Sequence, residues 1–74
     1  MELDAVKPGL RVKTKKLRGT KGFLIHPKHL TVRRKGVTGT VKMWVPGHGG
    51  DVWFVQHDNS DDVGAYSFTE LEPE

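Results

Sequence analysis

Turn-forming residues recur at short intervals along this chain, and they limit what it can fold into. Glycine, proline, asparagine or aspartate interrupts the apolar pattern at residues 8–9, 19–22, 27, 36, 46–50 and 58–60. Between these turns apolar and polar residues alternate over short stretches, and no stretch shows a sustained helical period. Short alternating stretches separated by frequent turns predict an all-β domain of the barrel or sandwich type.

The length and the absence of cysteine set further limits. A chain of 74 residues has room for one domain with a thin core, so we predict a single unit over 1–74 with flexible ends at 1–7 and 72–74. Without cysteine, disulfides, thiolate metal sites and cysteine nucleophiles are excluded. The sequence starts without a basic stretch followed by an apolar run, and its apolar runs are short. It therefore predicts a cytoplasmic protein that does not enter a membrane.

The alternation also predicts individual elements. We predict strands over 10–15, 37–45, 52–57 and 63–67, a long first loop over 16–36 and one helical turn over 68–71. In the first strand Leu10 and Val12 alternate with Arg11 and Lys13, which gives one apolar and one basic face. Gly39 inside the second strand predicts a bulge or a close backbone approach. The predicted core includes Leu10, Val12, Val37, Val41, Val55, Phe68 and Leu71.

Four segments occur in an order that matches a known architecture. They are Pro8-Gly9-Leu10-Arg11-Val12, Gly36-Val37-Thr38-Gly39-Thr40-Val41, Val52-Trp53-Phe54-Val55 and Phe68-Thr69-Glu70-Leu71. This order resembles the SH3-like barrels of KOW-type domains, of Mind-bomb/HERC-type domains and of the variable chain of ferredoxin–thioredoxin reductase. The variable chain also carries a His-Pro-x-His element, as His26-Pro27-Lys28-His29 does here. The resemblance implies a five-stranded SH3-like barrel, but the same fold serves unrelated functions.

Charge is divided unevenly along the chain. All 12 lysines and arginines lie between Lys7 and Lys42, and all 9 acidic residues lie outside that segment. Such a division is typical of a protein whose basic surface meets a negatively charged partner. The alternative is that strand pairing brings the two halves together and cancels the field.

Basic residues near an aromatic ring form the candidate partner-binding set. Its members are Arg11, Lys13, Lys15, Arg18, Lys28, Arg33, Arg34, Lys35, Lys42 and Trp44. One hypothesis is a non-catalytic accessory or regulatory subunit that docks an acidic protein, as the reductase variable-chain resemblance implies. The other is a KOW-like barrel that binds RNA or DNA through its phosphates, with Trp44 stacking on a base.

The two hypotheses predict different surfaces. Protein docking predicts exposed apolar side chains rimmed by charge, drawn from Phe23, Leu24, Trp44 and Phe54. Nucleic-acid binding predicts that one face carries Arg33, Arg34, Lys35, Lys13 and Trp44. Neither hypothesis fixes the oligomeric state.

Catalytic and metal-binding patterns receive little support from the sequence. The four histidines include the His26 and His29 pair, but a zinc site needs three or four converging ligands. The glycine-rich segment 46–50 precedes a predicted strand and lacks a lysine, which favours a hairpin turn over a phosphate loop. A third hypothesis is an oligomeric reductase, because plasmid-type dihydrofolate reductase uses SH3-like chains; its folate-contacting strand would correspond to 63–66, where its glutamine is absent. We therefore predict no enzymatic activity, no metal and no cofactor.

Overall fold

The computed structural model describes residues 6–20, 23–47 and 50–74. It contains the strands β1 (Arg11–Thr14), β2 (Thr38–Gly47), β3 (Gly50–His57), β4 (Val63–Ser67) and β5 (Leu71–Pro73), with short 3₁₀ turns at Pro27–His29 and Phe68–Glu70. The five strands form one antiparallel sheet in the order β4-β3-β2-β1-β5. The predicted all-β class, the five strands and the helical turn near the C-terminus are confirmed. The sheet is not closed, and β4 and β5 are its edges.

The first strand follows the predicted alternation. Val12 and Thr14 are buried, whereas Arg11 and Lys13 are exposed. The buried hydroxyl of Thr14 donates a 2.6 Å hydrogen bond to the carbonyl oxygen of Arg34 and accepts one of 3.0 Å from the backbone N–H of Val37. A polar side chain is therefore accommodated in the interior because its hydrogen bonds are made.

The second strand departs from regular alternation at a different position from the one that its glycine suggests. The register between β2 and β3 shifts between Val41 and Met43, so the bulge lies there and not at Gly39. The alternative prediction for Gly39, a close backbone approach, is confirmed, because a Cβ at this position would collide with the carbonyl oxygen of Gln56. A bulge moves every later side chain to the opposite face. Trp44 consequently lies opposite Trp53 in the sheet.

Most of the core belongs to one cluster of side chains, and Val52 and Ala65 are buried outside this cluster. The buried members of the cluster are Val6, Val12, Val41, Trp53, Val55, Tyr66 and Leu71, and the partly buried Leu10, Leu17 and Phe68 pack against them. Of the predicted core residues, Leu10, Val37 and Phe68 are only half-buried, and Val37 is not part of this cluster. The sequence prediction omitted Val6, Trp53 and Tyr66. The face of the sheet on which Trp53 lies is set by the pairing of β3 with β2 and β4. The sequence could not show this face, because the residues on both sides of Trp53 are apolar as well.

The two ends of the chain meet the sheet differently. Leu71, Glu72 and Pro73 pair with β1 as the edge strand β5, although the sequence predicts flexibility at 72–74. Val6 is buried, and residues 1–5 lie outside the described part. No helix long and apolar enough to cross a membrane is present among the described residues.

Candidate functional site

Acidic side chains surround the outward face of β1. The guanidinium of Arg11 donates to Asp58 (Nη1 to Oδ1, 2.7 Å) and to Glu74 (Nε to Oε2, 2.8 Å). Lys13 lies directly opposite Glu72 in the β1–β5 pairing. Hydrogen bonds lower the pKa of Asp58 to about 2, and the bond from Arg11 has a larger effect than the bond from Thr38. Basic and acidic residues that are far apart in the sequence are therefore neighbours at β1, because strand pairing places carboxylates beside the β1 cations.

Arg33 occupies a different environment from the other cations. Its side chain is 4% exposed and pairs with Glu70, whose side chain is 0% exposed. The guanidinium carbon lies 5.3 Å from the ring centroid of Phe23 and 5.5 Å from that of Tyr66. Within the described residues Nε and Nη1 are buried without a hydrogen-bond partner, so the two aromatic rings supply the remaining favourable contact for the charge. Arg33 is therefore part of the interior and cannot contact a partner directly.

Glu70 joins several separate pieces of backbone. Its Oε1 accepts 2.9 Å from the N–H of Ser67, and its Oε2 accepts 2.6 Å from the N–H of Arg18 as well as the bond from Arg33. Its carbonyl oxygen accepts 2.9 Å from the N–H of Lys15. These hydrogen bonds, one of them from a guanidinium, compensate the loss of water around the buried carboxylate. Glu70 thereby fastens the start of the first loop, the residues between β1 and β2, to the turn that precedes β5.

Both ends of the first loop meet at its base. The N–H of Gly36 donates 3.0 Å to the carbonyl oxygen of Thr14, and Arg33 Nη2 donates 3.2 Å to the carbonyl oxygen of Arg18. This convergence brings together five cationic residues, which we call the loop-base cations: Lys15, Lys16, Arg18, Arg34 and Lys35. Lys15 is half-buried and the other four are exposed. Glu70 lies at the same place but is buried and already paired with Arg33, so it neutralises Arg33 and not these cations.

A buried chain of hydrogen bonds supports the far side of the loop base. Tyr66 Oη accepts 2.9 Å from the N–H of Arg34 and lies 2.8 Å from His57 Nε2. Tyr66 is 0% exposed and His57 is 4% exposed. A Cβ at Gly64 would lie 2.7 Å from the Tyr66 ring and 3.0 Å from His57 Nε2, so the pair needs glycine at this position. Burial raises the pKa of Tyr66 and lowers the pKa of His57, which keeps both groups neutral.

The remaining candidate cations lie apart from the loop base. Lys28 belongs to the 3₁₀ turn at Pro27–His29, and Lys42 lies at the β2 bulge; both are exposed. Trp44 is 46% exposed, and the exposed apolar residues also include Leu24 at 76%. Phe23 and Phe54 are half-buried. The structure therefore brings together four of the candidate partner-binding residues, Lys15, Arg18, Arg34 and Lys35, and adds Lys16, which the sequence prediction did not include.

The three histidines in the described part of the chain do not converge on one point. His26 Nδ1 accepts 3.1 Å from the N–H of Lys28, and His29 Nδ1 donates 2.8 Å to the carbonyl oxygen of Val63 while its ring lies 4.5 Å from that of Phe54. His48 lies outside the described residues. An open groove of about 250 Å³ is lined by Lys28, His29, Asp61, Asp62 and Val63. The described part of the chain contains no group of three or more His, Cys, Asp and Glu side chains that could hold a metal ion.

The sequence prediction omitted the three residues that organise the loop base. The role of Glu70 in the turn before β5 could have been predicted from the sequence, because Ser67-Phe68-Thr69-Glu70 matches a capping box. The contact between Tyr66 and His57 could not have been predicted, since it depends on the pairing of β3 with β4 and on the absence of a side chain at Gly64.

Fold and site together define a small all-β protein with a group of cations at the base of its first loop. No protein-family model, curated protein or solved structure matches this chain.

Proposed function

We propose that the protein is a non-catalytic interaction module that docks an acidic protein surface through the loop-base cations. The observation that carries this proposal is the burial of Glu70 against Arg33. Because that carboxylate is already paired, it leaves the charges of Arg18, Arg34 and Lys35 available to a partner. Complementary charge of this kind directs encounter and fixes the orientation of a complex.

The contrast with β1 limits the docking surface to the loop base. Arg11 contacts Asp58 and Glu74, and Lys13 lies opposite Glu72. A partner carboxylate would have to compete with acids that already occupy this face. The docking surface therefore excludes most of the β1 face, which the sequence alone includes in it.

An exposed leucine favours a protein as the partner. Leu24 is 76% exposed and follows Phe23, which packs on Arg33. A protein surface can cover a leucine with apolar side chains of its own, whereas a phosphate backbone cannot. An acidic protein segment that also carries an apolar residue fits this part of the loop.

The proposal includes the SH3-like barrel as the scaffold. Three features support it: five antiparallel strands in the order β4-β3-β2-β1-β5, a long loop between β1 and β2, and a 3₁₀ turn at Phe68–Glu70 directly before β5. A rigid sheet that presents a functional loop is a common design for small binding modules.

A charge-reversal experiment tests the docking surface. An aspartate-rich fluorescent peptide is titrated with the wild-type protein, with Lys35→Glu and with Lys42→Glu, which makes the same change in net charge at the β2 bulge. We expect Lys35→Glu to weaken binding by about tenfold, or about 1.4 kcal/mol, and Lys42→Glu to have a much smaller effect. Equal weakening by both variants would show that only net charge matters, and absence of binding at low salt would refute the proposal.

A second candidate function, binding of single-stranded nucleic acid, is favoured by one observation. Trp44 is 46% exposed, so a base could stack on its ring. Because Trp53 is only 8% exposed, quenching of tryptophan fluorescence by an added strand would report mainly on Trp44. Titrations with a mixed-sequence single strand and a duplex, at low and then moderate salt, decide between the candidates. Salt-sensitive quenching that Trp44→Ala abolishes would favour nucleic acid, and docking of an acidic protein predicts no quenching.

A further inference from the structure

The hydroxyl of Tyr66 has two acceptors within reach, His57 Nε2 and the carbonyl oxygen of Arg34. The distance from Tyr66 Oη to His57 Nε2 is 2.8 Å, and that from Tyr66 Oη to the carbonyl oxygen of Arg34 is 3.4 Å. Nε2 of a neutral His57 can accept the Tyr66 hydroxyl proton over the shorter of these distances. The same hydroxyl oxygen accepts the N–H of Arg34 at 2.9 Å.

Protonation of His57 reverses this arrangement. A charged imidazole has an N–H at Nε2 and can only donate, so the hydroxyl proton of Tyr66 must turn to the carbonyl oxygen of Arg34 at 3.4 Å. That carbonyl already accepts from the hydroxyl of Thr14 at 2.6 Å. The charged imidazole and the N–H of Arg34 then both donate to the Tyr66 oxygen, and the charged ring repels the Arg34 guanidinium. The contact that holds Arg34 is therefore weaker when His57 is charged.

We propose that His57 is a proton-controlled latch that sets the position of Arg34 and Lys35, so that acidification weakens the acidic-protein interaction. This inference rests on the proposed function, because the loop-base cations are the surface that the latch controls. Protonation favours an opened form in which His57 reaches water and the turn at residues 34–36 is released from Tyr66.

The charges that face His57 come from three directions. Asp58 follows it in the chain, Asp62 lies across the β3–β4 hairpin, and Arg34 approaches from the first loop; Tyr66 from β4 is the titratable hydroxyl in contact. The two carboxylates favour the charged ring and Arg34 opposes it. Desolvation is the largest influence and lowers the pKa of His57, so the closed latch favours the neutral ring.

The pH dependence of peptide binding tests the latch. The aspartate-rich peptide is titrated at pH 7.5 and pH 5.5 with wild type, with His57→Gln and with His29→Gln. We expect the dissociation constant of wild type to rise at least about fivefold at the lower pH, the low end of typical coupling between sites. His57→Gln should be insensitive to this pH change, since a glutamine oxygen accepts from Tyr66 at both pH values. His29→Gln should behave as wild type, because the His29 ring contacts Val63 and Phe54 and not Tyr66. The same pH response in wild type and His57→Gln would refute the inference.

A second measurement does not require the peptide. Nuclear magnetic resonance follows the ring protons of His57 and the hydrogen-exchange protection of the Arg34 amide in the wild-type protein between pH 5 and pH 8. We expect the protection of Arg34 to fall with the same midpoint as the ring titration, while the amide of Val55 in the core keeps its protection. An Arg34 amide whose protection is unchanged across the His57 titration would overturn the latch even if the peptide binds. If the peptide fails to bind at either pH but Arg34 follows His57, the latch stands and the proposed function falls.

Discussion

Two arginines in this protein form ion pairs at very different depths. The side chain of Arg11 is 44% exposed and contacts Asp58 and Glu74, whereas that of Arg33 is 4% exposed and contacts Glu70. In water the first type of pair contributes little to stability, because both charges are well solvated when separated. In the interior neither charge can be left alone, since the cost of an unpaired buried ion is large.

The two pairs therefore serve different purposes. The pairing of Arg11 neutralises the β1 face, where Asp58 is also held by the hydroxyl of Thr38 at 2.6 Å. The pairing of Arg33 fastens the first loop and buries a carboxylate that would otherwise cancel the loop-base cations. The Arg11 ion pairs neutralise positive charge at the surface, whereas the Arg33 ion pair leaves the positive charge of the loop-base cations exposed.

Removing one partner of the buried pair should produce the largest effect. Glu70→Gln leaves Arg33 charged and buried, and it weakens the bonds from the N–H groups of Ser67 and Arg18. We expect the free energy of unfolding to fall by about 3–5 kcal/mol, measured by urea denaturation. Glu74→Gln is the matched control at the exposed pair, and its effect should be close to the error of the measurement. Equal losses in the two variants would show that depth does not distinguish the pairs.

Replacing each arginine by lysine should sharpen the comparison at constant charge. The planar guanidinium of Arg33 contacts the rings of both Phe23 and Tyr66, and an ammonium cannot stack on both. We expect Arg33→Lys to lower the free energy of unfolding by about 1–2 kcal/mol, with a far smaller change for Arg11→Lys. Thermal and urea unfolding of both variants provide the measurement. An Arg33→Lys protein as stable as wild type would mean that charge alone, and not ring contact, holds the loop.

The comparison also explains what the sequence could and could not predict. The strands were predictable because alternation reflects burial on one face, as in Val12 and Thr14 against Arg11 and Lys13. The position of the bulge was not, since Val41, Met43 and Val45 continue one parity in the sequence while the sheet breaks it between the first two. Tertiary pairing decides such a register.

The sequence likewise did not show which cations are buried and which are exposed. Arg33 lies in a run with Arg34 and Lys35, and nothing local marks it as the buried member. Its burial depends on Phe23, Tyr66 and Glu70, which are brought to it only by the fold. Residue type therefore predicted that a basic surface exists, and packing decided which residues form it.

Acid titration should show the smallest of these effects and should locate it at the exposed pair. Hydrogen bonds from Arg11 and then Thr38 lower the pKa of Asp58 from an ordinary 3.8 to about 2. A carboxylate whose pKa is lower in the folded state stabilises it above the unfolded value, and that contribution is lost as the pH falls through the folded value. We expect the urea midpoint of wild type to decrease from pH 4 toward pH 2 more than that of Asp58→Asn, and the difference to shrink at high salt because the pair is exposed. Parallel pH profiles for the two proteins would show that Arg11 and Asp58 do not pair in solution, and the β1 face would then rejoin the cationic surface.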